Sequence, residues 1–190
     1  MNLVPIPHWS HAGLLPPVDS SDPTSWNRSP YRVRLTEVID RFATTPQRCR
    51  VLSALLTLRS SLHRLGYVVG FQWINGSFVE HVEALRGHAP RDIDVVSFVA
   101  RPPSGNVDFS ASATDGPSVP DENDCVDHYI VELDLPPEQL INLAVYWSGV
   151  WSHRRSGEWK GFLEIDFSPD NDPLATERLG RRQIEVDGGS

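Results

Sequence analysis

The stretch Trp73-Ile74-Asn75-Gly76-Ser77, followed by Asp92-Ile93-Asp94-Val95-Val96, constrains the fold more than any other part of the chain. A Gly-Ser turn closes the first apolar run, and two acids on alternate positions open the second. In a strand, residues i and i+2 point to the same face. Asp92 and Asp94 therefore project two carboxylates together, where they repel unless a cation sits between them. Oxygen ligands of that kind suit Mg²⁺, which completes its shell with waters and substrate phosphates. Backbone N–H groups at a helix start attract phosphate oxygens, and Gly76-Ser77 is placed to supply them. Together the two motifs predict a phosphoryl-transfer site at one end of a sheet.

The surrounding pattern supplies such a sheet. Residues 1–30 are rich in Pro, Ser and Asp without a sustained period, which predicts an extended arm. Leu35, Val38, Ile39 and Phe42 repeat at helical spacing. Thr45 as N-cap and Pro46 at the first helical position open a stronger helix through Val51, Leu55, Leu58, Leu62 and Leu65, which Gly66 is placed to end. Val68–Ile74, Ile93–Ala100, Tyr129–Leu135 and Phe162–Phe167 read as strands, and Phe78–Arg86 as a short helix. Pro136-Pro137 opens a further helix expected to turn Leu140, Ile141, Ala144, Val145 and Trp147 toward the core. Asp172-Pro173 has the form of a cap and helix start, for a last helix through Arg181. Residues 101–124, with four prolines and few large apolar side chains, read as an exposed, mobile loop. The expected organisation is an arm over 1–30, one domain over 31–182 and a fraying tail over 183–190. Its fold class is α+β, a small mixed sheet flanked by helices.

Composition narrows the partners. A formal net charge of −8 argues against a large sequence-independent nucleic-acid footprint, though a local basic groove stays open. Cys49 and Cys125 lack a C-x-x-C spacing, as in a reduced intracellular protein. No signal peptide is visible, and no run approaches the ~20 apolar residues of a membrane span. The expectation is a cytoplasmic protein with no membrane partner.

Gly76-Ser77 with Asp92-x-Asp94 resembles the signature of the polymerase-β-like nucleotidyltransferase superfamily. Gly13-Leu14-Leu15-Pro16-Pro17, Gly70-Phe71-Gln72-Trp73, Gly76-Ser77-Phe78-Val79-Glu80, Asp127-His128-Tyr129, Trp151-Ser152-His153-Arg154-Arg155 and Trp159-Lys160-Gly161 are similar to a bacterial family of nucleotidyltransferase-like proteins. The resemblance spans Gly13 to Phe167. It implies a nucleotidyltransferase-like fold and Mg²⁺- or Mn²⁺-dependent chemistry on an NTP, with ATP expected. Asp92 and Asp94 would ligand the metal. Gly76 would let the backbone approach the phosphates, and Ser77 would donate to them.

The resemblance also implies a third carboxylate on a neighbouring strand, a metal ligand that helps deprotonate the acceptor hydroxyl. Asp127 is the first choice and Asp166, inside Ile165-Asp166-Phe167, the alternative. Glu132 shares a face with Asp134 and reads as solvent-side alternation. His153, Arg154, Arg155 and Lys160 form a dense basic cluster. It reads either as a complement to a helix C-terminus or as a clamp on the triphosphate, with Arg154 and Lys160 the expected contacts. Glu80, one turn after Ser77, reads as a cap or orienting group. Trp9, Trp26, Trp73 and Trp147 read as packing anchors. His8-x-x-His11 has metal-compatible spacing but no acidic or Cys partners nearby.

Two functions compete. The first is a Mg²⁺-dependent nucleotidyltransferase moving NMP from an NTP to a hydroxyl of a protein, RNA or small molecule. The second is a catalytically weak binding module, such as half of a toxin–antitoxin or phage-defence pair with a partner from an adjacent gene. A metal-dependent phosphohydrolase using the same acids leaves Gly76-Ser77 without a task.

Overall fold

The computed structural model of the chain describes residues 3–103 and 125–189. The expected mobile loop over 101–124 therefore lies mostly outside the described residues. Ten regular elements follow one another as β1 (Tyr31–Val33), α1 (Leu35–Phe42), α2 (Pro46–Arg64), β2 (Gly70–Asn75), α3 (Val82–Arg86), β3 (Ile93–Val99), β4 (Val126–Glu132), α4 (Pro137–Trp151), β5 (Leu163–Asp166) and α5 (Asp172–Gly188). The five strands form one mixed sheet in the order β1-β5-β2-β3-β4. β1 runs parallel to β5 and β3 parallel to β4, while β2 is antiparallel to both its neighbours. The architecture is α+β, with helices on both faces of the sheet.

Alternation along the strands sorts the core into two layers. Ile74, Val95, Val99, Leu163 and Ile165 join the buried side of α2, which includes Val51, Leu52, Leu55 and Leu62. Trp73, Val96, Phe98, Val131 and Phe162 join Trp147 and Trp151 of α4 in a separate aromatic cluster. The side chains of α2 fall on the core as their spacing predicts. Thr45 caps that helix by accepting from the Arg48 N–H at 3.2 Å.

Several expectations change. The segment expected as a short helix over Phe78–Arg86 splits into a 3₁₀ turn at Ser77–Val79 and α3. β4 runs over Val126–Glu132, three residues earlier at both ends than the expected Tyr129–Leu135. Leu140, Ala144 and Trp147 face the core as expected, joined by Leu143 and Trp151, but Ile141 and Val145 do not and are largely exposed. Trp26, expected as a packing anchor, is 87% exposed. Asn171, not Asp172, is the N-cap of α5, because the Asp172 carboxylate is taken by Arg59 at 2.6 Å. α5 continues seven residues beyond Arg181, to Gly188, supported by an i,i+3 ion pair between Arg182 and Glu185.

The N-terminal arm is irregular but tied down. Leu14 and Leu15 are buried, the Gly161 N–H donates to the Leu15 carbonyl at 2.7 Å, and Trp9 Nε1 donates to the Val79 carbonyl at 2.8 Å. No helix among the described residues is long and apolar enough to cross a membrane.

Candidate functional site

Strand register assembles the site. Asp94 pairs with Asn75 on β2 and with Asp127 on β4. Side chains directly opposite one another share a face, with Cβ atoms about 5 Å apart. Asn75, Asp94 and Asp127 thus form a row across three strands, on the face that α4 covers. Asp92 lies just before β3, and its charge acts on Asp94.

This row is electrostatically strained. Burial, followed by the charges of Asp92 and Asp127, pushes the Asp94 carboxyl up to about 6, against the opposing pull of Lys160 and Arg155. Gly76 follows Asn75 and presses on the same carboxylate. Its φ of 82° and ψ of −165° lie where essentially only glycine is found. A Cβ there would sit 2.9 Å from Asp94 Oδ2, so a side chain is excluded by contact as well as by backbone strain. Ser77 then opens the 3₁₀ turn, and no hydrogen bond from the described residues engages its hydroxyl.

Two of the four buried polar atoms without a partner among the described residues lie beside the row. Asn75 Nδ2 donates to the Trp151 carbonyl at 3.1 Å, while its buried Oδ1 has no hydrogen-bond partner among the described residues. The same holds for the buried Trp147 Nε1–H. The Trp147 ring lies 4.7 Å from that of Tyr129, whose hydroxyl donates to Asp127 Oδ2 at 3.2 Å. Sequence reasoning missed Asn75 and Tyr129 as site residues. The one available signal was an amide at the end of an apolar strand, directly before the Gly-Ser turn.

The structure separates the two candidates for the third acid. Asp166 pairs with Phe71, four residues from Asn75 along β2, which places it about 13 Å down the sheet. It is occupied there as a local cap, accepting from the Ser168 N–H at 2.7 Å and from Asn171 Nδ2 at 3.2 Å. Asp166 is not part of the site, and Asp127 is the acid that register sets beside Asp94. Glu132 also lies at the far end, paired with Arg101.

The basic cluster is divided. Arg154 donates to Glu80 Oε2 at 2.6 Å, and Lys160 Nζ to Glu80 Oε1 at 3.0 Å. Burial would raise the Glu80 carboxyl, but the Arg154 hydrogen bonds and the Lys160 charge outweigh it and hold it below the usual glutamate range. Lys160 also donates to the Gly76 carbonyl at 3.2 Å, so the Glu80–Lys160 pair braces the Gly-Ser turn. Arg154 and Lys160 are therefore structural ties. Arg155 is exposed, and its charge reaches Asp94.

Asp92, Asp94 and Asp127 supply only carboxylate oxygens, a donor set suited to a hard divalent cation. A cation there would offset the burial and the repulsion that together raise Asp94. As they stand, no three His, Cys, Asp or Glu side chains among the described residues are grouped closely enough to hold a metal.

Fold and site define an α+β protein whose mixed five-stranded sheet carries an acidic row at one end, buttressed by a glycine turn. The chain belongs to the family of unknown function DUF6932, which matches residues 7–166 and so spans the whole row. No curated protein and no solved structure matches the chain.

Proposed function

We propose that this protein is a nucleotidyltransferase that moves NMP from an NTP, with ATP the expected donor, to a hydroxyl of a protein, RNA or small molecule. One observation carries the reading: the row Asn75–Asp94–Asp127, with Gly76 against Asp94. Asp92, Asp94 and Asp127 would hold Mg²⁺ or Mn²⁺, whose charge, when bound, neutralises the nucleotide phosphates. Gly76 lets the turn lie against the Asp94 carboxylate, and the Ser77 hydroxyl beside it would donate to a phosphate. Arg155 adds a cation at the rim. Asp127, whose Oδ2 accepts from the Tyr129 hydroxyl, would accept the acceptor's proton as its oxygen attacks the α-phosphorus. The bond from that phosphorus to pyrophosphate then breaks.

The test incubates the protein with labelled NTPs, Mg²⁺ or Mn²⁺ and host lysate. Pyrophosphate release and a labelled acceptor are expected, both lost in Asp92→Ala/Asp94→Ala. Wild type behaving like that double variant would sink the proposal.

A second reading is favoured by two specific observations. Glu80 engages two of the cations expected to clamp a triphosphate, and the carboxylates are not drawn together as a metal ligand set. A binding module, acting with a partner protein as in a toxin–antitoxin or defence pair, would keep the fold without turnover. Calorimetry separates the two readings, because Mg·ATP binding with no pyrophosphate release supports the module.

A further inference from the structure

α4 is apolar on two opposite sides, and the fold covers only one. Leu140, Ala144, Trp147 and Trp151 pack on the sheet, whereas Ile141, Val145, Tyr146 and Val150 are between 45% and 67% exposed. No charged residue occurs between Glu138 and His153. A helix face turned to water normally carries charge, and one that is apolar all round is normally buried. Trp159, 69% exposed and paired with His153 just beyond the helix, extends the patch.

Gly149 lies on the same exposed line as Ile141 and Val145, at steps of four. A Cβ there would meet nothing within 4 Å, so the chain's own packing does not require glycine. Glycine inside a helix weakens it relative to alanine. A close approach from outside gives the notch a purpose.

We propose that this face is the two-fold interface of a homodimer, with α4 packed antiparallel against α4 of a second copy. An axis at Val145 sets Ile141 of each copy against Gly149 of the other, bulk into notch. The same pairing brings the exposed Glu138 at one end of the helix toward the exposed His153 and Arg155 beyond the other end, twice over. A single surface complementary to itself in both shape and charge is what an isologous contact needs. α4 spans about 22 Å, and one helix pair buries less than the roughly 1,200 Å² of a stable interface, so the dimer dissociates on dilution. None of this depends on the catalytic reading of the site.

Sedimentation equilibrium of the full chain tests the proposal. A concentration-dependent dimer is expected, and Val145→Asp should raise its dissociation constant at least about tenfold while leaving the circular dichroism unchanged. Val145→Cys keeps the test decisive if the aspartate variant fails to fold. Cys49 and Cys125 are both buried, so the new thiol is the exposed one, and oxidation should link two copies through it. A wild type that stays monomeric at every concentration overturns the proposal and leaves the face to a different protein. A dimer that Val145→Asp does not weaken, or that Val145→Cys does not cross-link, overturns it equally.

Discussion

The two ends of the sheet treat their acids in opposite ways. At the end marked by Gly70 and Asp166, each acid described above has a partner. Asp172 accepts from Arg59, Glu132 and Asp134 pair with Arg101, and Asp166 caps the turn after β5. At the end marked by Asn75, the charges of Asp92 and Asp127 both act on the buried Asp94, while Lys160, the buried cation that opposes them, is committed to Glu80. A fold able to neutralise carboxylates at one end does not leave them repelling at the other by default. Perturbed carboxylates of this kind concentrate at functional sites. The contrast therefore says more about function than the acids do alone.

The comparison breaks most visibly at the paired end. Arg59 is fully buried and reaches Asp172, Gln72, and the carbonyls of Asp166 and Ser168. From Gln72 the chain of hydrogen bonds continues through Ser97 to His128. Arg59→Met leaves Asp172 with only the His63 ring, 3.4 Å away, and takes the donor from Gln72 Oε1; removing one member of a buried pair costs about 3–5 kcal/mol. Urea unfolding should show a loss at the low side of that range, since Asp172 is partly exposed. A loss below about 1 kcal/mol would mean that the paired end is not held by its ion pairs.

The crowded end should respond with the opposite sign. Asp94 titrates at about 6 in the folded chain against an ordinary 3.8, so its ionisation opposes folding. The penalty is complete above the folded value and disappears as pH falls toward the ordinary one. Asp94→Asn is therefore expected to raise stability by about 3 kcal/mol near neutral pH while abolishing the proposed transfer, and the gain should close below about pH 4. His128 works the other way: burial lowers it to about 4 from 6.5, so the unfolded chain takes up its proton first, and acid costs stability across that interval. Because His128 is common to both proteins, the wild-type and Asp94→Asn difference at each pH isolates Asp94. A difference that does not change with pH would remove the raised Asp94 carboxyl, by burial and by its neighbours' charges, from the account.

What was legible in the sequence follows from the range of the forces involved. α2 could be read because its cap, its proline and its apolar spacing are all local. Asp92, Asp94 and Gly76 could be read for the same reason, being bound by alternation along one strand and by a turn. The choice between Asp127 and Asp166 could not be made locally, since both sit among apolar strand residues and only inter-strand register separates them. Glu80 lies 74 residues from Arg154 and 80 from Lys160, so nothing in the basic cluster signals that it is already paired. α4 failed for a different reason. With apolar residues on both sides, its periodicity does not say which side the sheet covers.

The smallest expected effect is the sharpest check on the register argument. Asp166 is exposed at the far end and engaged only in local caps, so Asp166→Asn should change stability by no more than about 0.5 kcal/mol. It should leave transfer at the wild-type rate. Asp127→Asn, equally conservative in shape, should lower transfer at least about a hundredfold, because it removes a proton acceptor beside Asp94. Both substitutions delete one negative charge from one strand of the same sheet, so a general electrostatic effect would move them together. Equal losses of transfer in the two variants would show that position in the sheet does not decide which acid acts. A loss confined to Asp127→Asn would tie the chemistry to the row that Asn75, Asp94 and Asp127 form.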